Sequence, residues 1–181
     1  MNRPKIKDLI VMLVAPMLTG IQVTTAQQSD HVTLNVTLAQ VQSISVNSGQ
    51  KTVTLAFETA SDYQNGVSSP QTDHLNVSST TSFQVNVKAE GDLSNGTENI
   101  PVNTITITPT VTSGYADAEP GGETLTGTSL STSDQGIITS ATNGTVETHY
   151  DVEYKASGGD DYINKPAGTY ATTVTYTITA S

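Results

Sequence analysis

The C-terminal stretch of the chain constrains the fold most strongly, because its apolar and polar side chains alternate strictly. One face of residues 170–178 carries Tyr170, Thr172, Val174, Tyr176 and Ile178. Alanine and threonine fill the positions between them. Period-two alternation of β-branched and aromatic residues predicts a strand with one buried and one solvated face. Such a strand needs neighbours, and these must come from the rest of the chain or from another molecule.

Runs with the same period recur along the chain, and turn residues separate them. They lie at 32–38, 41–46, 53–57, 75–77, 83–87, 105–107, 137–141 and 146–154, and a short, weakly patterned strand is expected at 125–130. No segment of ten or more residues after residue 26 shows helical periodicity. The pattern predicts an all-β fold, an immunoglobulin-like Greek-key β-sandwich of about eight or nine antiparallel strands, with a β-barrel as the alternative.

Turn residues predict three local details. Asn47 to Gln50 form a tight turn that would pair 41–46 with 53–57 as a hairpin. Asn143-Gly144 predicts a second hairpin between 137–141 and 146–154, because both residues tolerate positive φ. Pro109 is expected to stop the strand that contains Ile105 and Ile107.

The N-terminus has the features of a secretory signal peptide. Basic residues precede a short apolar run from Leu9 to Leu18, and small residues follow at Thr24-Thr25-Ala26. The run is too short to span a bilayer of about 30 Å comfortably, so we expect cleavage near Ala26. The prediction is a signal peptide at 1–26 and a single β-sandwich domain at 27–181, secreted or at the cell surface, with no membrane insertion after cleavage.

The charge of the exported part excludes two classes of partner. Removing residues 1–26 leaves four lysines, no arginine and sixteen carboxylates, a formal charge of −12. Binding to nucleic acid or to anionic lipid depends on lysine and arginine, so we expect neither partner.

The sequence contains no recognisable catalytic or metal-binding motif. It has no cysteine, and no Gly-x-Ser-x-Gly motif occurs. His31, His74 and His149 lack the spacing of metal ligands and are expected to be surface imidazoles. Asp160-Asp161 matches no calcium-loop spacing and is expected to be a solvated loop. We therefore predict no cofactor, no metal site and no enzymatic activity.

The two ends of the chain together resemble a known family. Residues 32–38 read Val-Thr-Leu-Asn-Val-Thr-Leu, and Thr-Leu-Ala-Phe follows at 54–57. Residues 166–178 read Pro-Ala-Gly-Thr-Tyr-Ala-Thr-Thr-Val-Thr-Tyr-Thr-Ile. These stretches resemble chaperone–usher pilus subunits of the archaic, spore-coat-protein-U-like branch. In that family the subunit lacks its last strand, and the N-terminal extension of a neighbour fills the groove by β-augmentation.

The resemblance implies roles for eight residues. The donor strand would present Val32, Leu34, Val36 and Leu38. One wall of the acceptor groove would present Tyr170, Val174, Tyr176 and Ile178. The partners would be further copies or other surface subunits, and a periplasmic chaperone.

Two functions remain open at this point. The first is an exported structural subunit of a cell-surface fibre or adhesive assembly that polymerises by N-terminal donor-strand exchange. The alternative is a self-contained secreted or surface binding module. In that case residues 32–38 pair within the chain, and the acidic loops at 114–124 and 157–164 recognise a ligand.

Overall fold

The computed structural model of the chain describes residues 26–113, 123–141 and 145–181. The predicted signal peptide therefore lies outside the described residues except for Ala26. The chain divides into two units, residues 1–37 and 38–181. Residues 26–41 carry no regular secondary structure, and every strand and helix of the described residues belongs to the second unit. The strand expected at 32–38 is thus in no sheet of the described part of the chain.

Five antiparallel strands form the first sheet. In chain order they are Gln42–Val46 (β1), Val67–Ser79 (β2), Ile105–Val111 (β6), Thr128–Ser129 (β8) and Thr145–Ala156 (β10). Their spatial order is β1-β2-β10-β6-β8. The register places Leu75 opposite Tyr150 and Ile107 opposite Tyr154. The central strands β2 and β10 therefore contribute large side chains to the inner face.

Four antiparallel strands form the second sheet. They are Phe83–Ala89 (β3), Glu123–Leu125 (β7), Gln135–Ser140 (β9) and Val174–Ala180 (β11), in the spatial order β11-β3-β9-β7. A small ribbon pairs Leu93–Ser94 (β4) with Asn99–Ile100 (β5). Two short helices, Ala60–Asn65 (α1) and Asp160–Ile163 (α2), and two 3-10 turns, Ser48–Gln50 and Val102–Thr104, complete the described elements.

One hydrophobic core joins the inner faces of both sheets. Phe83, Val85 and Val87 of β3 are fully buried, as are Leu75 and Val77 of β2. Burying a side chain of this size contributes about 1.5–3 kcal/mol, so the two facing β-layers stabilise each other. The prediction of an all-β sandwich with antiparallel sheets is confirmed, and the helices are only one or two turns long.

Both predicted hairpin pairings are wrong. β1 pairs with β2, and residues 53–57 belong to no ladder among the described residues. β9 and β10 lie in different sheets, and their predicted turn at 142–144 lies outside the described residues. Turn residues show where the chain changes direction, but they do not say whether the next strand stays in the same sheet.

Three strand boundaries also differ from the sequence expectation. β6 continues through Pro109, which is tolerated because β8 pairs only with Thr106 and Ile107 and leaves an edge beyond them. The weak strand expected at 125–130 is two strands, β7 and β8, in different sheets. The C-terminal strand begins at Val174, and Ala171 makes only an isolated bridge with Ser94.

The strand order is that of an immunoglobulin-like sandwich. In such folds one sheet has the order A-B-E-D and the other contains C-F-G. Here β1-β2-β10-β6 corresponds to the first order, and β3 and β11 correspond to C and F. No described strand occupies the position of strand G beside β11.

The described helices fall short of the length and hydrophobicity that a membrane-spanning helix requires.

Candidate functional site

An open groove runs beside the edge strand β11. It has a volume of about 890 Å³, and its lining residues belong to the second unit. β1 and β11, each at one edge of its sheet, lie close to each other, and both contribute side chains to the groove. The groove therefore lies where an immunoglobulin-like sandwich has one more strand than the described residues supply.

β11 forms the first wall of the groove. Val174, Tyr176 and Ile178 point toward the core but are only half-buried, whereas Val85 and Val87 of the neighbouring β3 are fully buried. Among the described residues β11 pairs only with β3, so its other edge offers unpaired N–H and C=O groups. An unpaired edge of this kind is a template for another strand.

Residues 52–58 form the second wall and have the pattern of a strand without a partner. Val53, Leu55 and Phe57 are half-buried and pack against the core, while the side chains between them are exposed. No backbone hydrogen bond of residues 52–57 is formed within the described structure. Buried backbone groups are nearly always paired, so a segment with this alternation and open backbone groups is suited to pairing.

The N-terminal end of this second wall is held by side-chain hydrogen bonds. The Asn47 side chain accepts a hydrogen bond from the backbone N–H of Gly49 and shapes the 3-10 turn before the wall. The Gln50 amide then donates to the backbone carbonyl of Thr72 at 2.7 Å. This bond fixes the start of the second wall against β2.

The C-terminal end is held by an aromatic cluster. Phe57 stacks on Tyr162 of α2 with ring centroids 4.6 Å apart and contacts Tyr63 of α1 at 5.3 Å. Thr59 and Asp62 form a capping box that starts α1 immediately after the wall. The second wall is therefore fixed at both ends, and the backbone between them is unpaired.

A polar cluster lies beneath the groove. His74 is 1% exposed, and its two ring nitrogens bond Gln50 and the Tyr154 hydroxyl, each at 2.8 Å. The Tyr154 hydroxyl also bonds the Tyr176 hydroxyl at 2.6 Å. Burial raises the pKa of Tyr154 to about 12 and raises the pKa of Tyr176 further. Both phenols are therefore neutral hydrogen-bonding groups at physiological pH.

Three of the four predicted acceptor residues line this groove. Tyr170, Val174 and Tyr176 do so, whereas Ile178 lies further along β11, opposite Val85, and packs against the core. Their role as acceptor residues remains a prediction. The sequence analysis did not predict that residues 53–57 form the opposite wall of the groove, although it recognised their alternation.

The four predicted donor side chains are strongly exposed. The exposed fractions are 92% for Val32, 84% for Leu34, 76% for Val36 and 89% for Leu38. The segment therefore leaves four large apolar side chains at alternate positions in solvent. Their role as donors also remains a prediction.

Of the three histidines, His31 is exposed as expected, whereas His74 differs from the expectation. His74 is buried, so the expectation of a surface imidazole is wrong for it. His149 lies on the outer face of the first sheet, where its ring bonds Asp73 and Glu147. Burial alone would lower the pKa of His149, but the hydrogen bonds and charges of these two carboxylates together raise it. Among the described residues, no group of three or more His, Asp and Glu side chains is arranged to hold a metal ion.

The alternative hypothesis of a self-contained binding module assigns ligand recognition to two acidic loops, and the structure describes only part of them. Residues 114–122 of the first loop lie outside the described residues, and Glu123 and Thr124 belong to β7. In the second loop Asp160 and Asp161 are exposed in the first turn of α2, and Tyr162 is buried behind them. α2 therefore supports the second wall through Tyr162.

A strand is the ligand that suits this groove best. Two unpaired backbones offer hydrogen bonds along both sides, and half-buried apolar side chains offer contacts between them. An extended peptide satisfies both at once, since its backbone bonds the edges and its alternate side chains enter the groove. A compact small molecule would leave most of the two edges unpaired.

Comparison with solved structures finds chains of similar fold. The chain is similar to a chain in a solved structure of a chaperone–usher pilus that reveals the molecular basis of rod uncoiling. The two are 14% identical with a TM-score of 0.40, over 87% of this chain and 99% of the other. No family model matches the sequence, and no curated protein does. At that TM-score the similarity settles neither function nor assembly, so both have to be inferred from the groove.

Proposed function

We propose that this chain is an exported structural subunit of a surface fibre and that its groove binds the N-terminal segment of a neighbouring copy as an additional strand. The observation that carries the proposal is the pair of unpaired backbones, residues 52–57 and the outer edge of β11, on either side of one apolar groove. The proposal includes cleavage of residues 1–26 and a location outside the cell.

The segment from Val32 to Leu38 fits the groove in length and pattern. Its seven residues span about 20 Å when extended, and the seven residues of β11 span the same length. Val32, Leu34, Val36 and Leu38 would all point into the groove, while the residues between them would face solvent. The segment carries no charge, so its insertion buries no unpaired ion.

An open groove of this kind needs protection before assembly. Unpaired edges and half-buried apolar side chains favour indiscriminate pairing with other chains. A periplasmic chaperone that covers the groove until a neighbour arrives would prevent this, and we propose it as a transient partner. Other surface subunits with a similar exposed segment would be alternative neighbours in the same fibre.

The test compares residues 27–181 with a chain that lacks 27–38. Light scattering reports the size distribution of each, and an acetylated, amidated peptide of residues 32–38 is then added to the shorter chain. We expect the longer chain to form oligomers, and the shorter chain to be a folded monomer that binds the peptide. A peptide with the same seven residues in an order that breaks the alternation is the control and should not bind.

Two results would contradict the proposal. One is a shorter chain that oligomerises as readily as the longer one, because the segment would then not be the donor. The other is a shorter chain that unfolds and that no peptide restores, which would make 32–38 an internal strand of a self-contained binding module. A chain of residues 27–181 with Leu34→Asp and Val36→Asp supplies the same comparison without a deletion.

A further inference from the structure

A chain of hydrogen bonds crosses the floor of the groove from one wall to the other. It runs from Gln50, in the turn just before the second wall, through His74 of β2 and Tyr154 of β10 to Tyr176 of β11. We call these four residues the relay. Gln50, His74, Tyr154 and Tyr176 all line the groove. The relay therefore connects the two walls through side-chain hydrogen bonds. These bonds are separate from the contacts that the donor segment 32–38 would make.

The donor and acceptor in each bond of the relay follow from one anchor. The Gln50 amide nitrogen donates to the Thr72 carbonyl, so the Gln50 side-chain oxygen is the atom that faces His74 Nδ1. Nδ1 must then carry a proton, and in the neutral ring Nε2 is an acceptor. Tyr154 donates to Nε2 and in turn accepts from the Tyr176 hydroxyl. Every bond of the relay is satisfied when His74 is neutral.

We propose that the relay holds the two walls of the groove at the separation that an inserted strand requires, and that His74 must be neutral for it to do so. This inference rests on the proposed function of the groove. The residues of the relay are positioning residues, because the incoming strand pairs with the walls that they connect.

A second proton on His74 reverses part of the relay. Nε2 then becomes a donor, so Tyr154 accepts from His74 and its own hydrogen turns to the neighbouring Tyr176 hydroxyl. The Tyr176 hydroxyl hydrogen is left without its acceptor and has to turn toward the groove. Water can satisfy it while the groove is open, but a strand with apolar side chains excludes that water. Protonation of His74 and insertion of the strand therefore oppose each other.

The surroundings of His74 disfavour its charged form. Burial lowers the pKa of His74, and the charge of Lys51 at the start of the second wall lowers it further. Tyr154 of β10 and Tyr176 of β11 face the imidazole of His74, and both phenol rings contact it edge-on. Asp73, its neighbour in β2, bonds His149 on the outer face of the sheet. Within the described part of the chain, no carboxylate is therefore placed to stabilise an imidazolium at His74.

Thermodynamic linkage gives the sign of the effect. If strand binding lowers the pKa of His74, the bound state takes up its proton at lower pH than the free state does. Affinity is then highest above the pKa of the free groove and falls as the pH decreases through it. Each unit by which binding lowers the pKa weakens the acid-state affinity about tenfold.

The test measures peptide binding as a function of pH. The parent is residues 27–181 with Leu34→Asp and Val36→Asp, so its own segment does not compete. The probe is the acetylated, amidated peptide of residues 32–38, which has no titratable group. Its dissociation constant is measured calorimetrically from pH 7.5 to pH 5.0 for the parent, for the parent with His74→Gln, and for the parent with His149→Gln as the matched control.

We expect binding to weaken several-fold between pH 7.5 and pH 5.0 in the parent and in the His149→Gln variant, by at most about tenfold for each unit by which binding lowers the pKa of His74. The His74→Gln variant should change by less than about twofold, since glutamine does not titrate there. Binding that is equally strong at both pH values in the parent overturns the inference and leaves the proposed function standing. An absence of binding at every pH refutes the proposed function and the inference with it.

A second measurement needs no substitution at His74. The imidazole of His74 is titrated by NMR in the parent with and without saturating peptide. A lower pKa in the peptide-bound form supports the inference, and an unchanged pKa overturns it. This readout holds even if the His74→Gln variant does not fold, and a purely structural histidine would show no change on peptide binding.

Discussion

Replacing Leu34 by alanine separates the stability of the subunit from the strength of its assembly. The Leu34 side chain is 84% exposed in the described structure, so the substitution removes almost no packing from the subunit. The free energy of unfolding of the dilute monomer should change by less than about 0.5 kcal/mol. In the proposed assembly the same side chain enters an apolar groove, where its loss should be costly.

The magnitude follows from large-to-small substitutions in packed sites. Leucine-to-alanine changes in cores cost about 2–5 kcal/mol, and a groove that is open along one side corresponds to the lower end. A loss of about 2 kcal/mol weakens binding about 30-fold, because every 1.4 kcal/mol is a factor of ten. Thr33→Ala is the matched control, since Thr33 would face solvent in the assembly.

The assay uses two measurements on each variant. Urea denaturation of dilute residues 27–181 gives the unfolding free energy, and calorimetric binding of the 32–38 peptide carrying each substitution gives the dissociation constant. Equal weakening by the substitutions at Leu34 and Thr33 would refute the strand register. A loss of more than about 1 kcal/mol in the unfolding of the Leu34→Ala monomer would show that the segment belongs to the subunit core.

Three further predictions concern the stability of the subunit itself. Gly66→Ala should lower the free energy of unfolding in urea by more than about 2 kcal/mol, because the φ of Gly66 is +79° and an added Cβ would clash with the backbone oxygen of Ala156. Gly91→Ala is the control: an added Cβ there meets nothing within 4 Å, so the loss should be less than about 1 kcal/mol. Tyr162→Phe should cost about 1 kcal/mol by the same measurement, because it removes the buried 2.7 Å bond to the Thr104 hydroxyl, and no loss would show that this bond is not formed. The folded state raises the pKa of His149, so the protonated His149 stabilises the fold fully below pH 6.5, and this stabilisation is lost as the pH rises through the raised pKa. His149→Gln should therefore destabilise the chain more at pH 5 than at pH 8. The reverse order would contradict the described contacts of His149.

The wall formed by β11 was predictable from the sequence because its pattern is local. Alternation from Tyr170 to Ile178 fixes which side chains face inward, and the structure has the same faces half-buried and exposed. The start of the strand was not predictable, since the backbone before Val174 bonds β4 and the loop after β3. A period of two defines a face but not a partner.

The same limit explains the error over residues 53–57. Their alternation is as clear as that of β11, and a turn precedes them, so a hairpin with 41–46 was the simplest interpretation. The structure pairs 41–46 with β2 and leaves 52–57 without a backbone partner in the described residues. A sequence pattern cannot show that the partner of a strand is absent from the chain's own sheets.

The sequence analysis wrongly expected His74 at the surface because a β-bulge changes which residues of β2 face inward. Counting back by two from Leu75 and Val77 places position 74 on the outer face. The residue before it, Asp73, has a φ of +55°, and the pairing of β2 with β10 shifts register at this point. The bulge turns both His74 and Leu75 inward, and this conformation has no signature in the alternation itself.

Backbone hydrogen exchange tests the central claim most directly. Residues 27–181 are compared as dilute monomers and as oligomers, with the chain lacking 27–38 as the reference. Insertion of a strand predicts that amides within 52–57, and those amides of β11 that point away from β3, exchange freely in the monomer and become protected in the oligomer. Oligomers in which both sets of amides exchange as fast as in the monomer would contradict the account, because the groove would then be empty in the assembly.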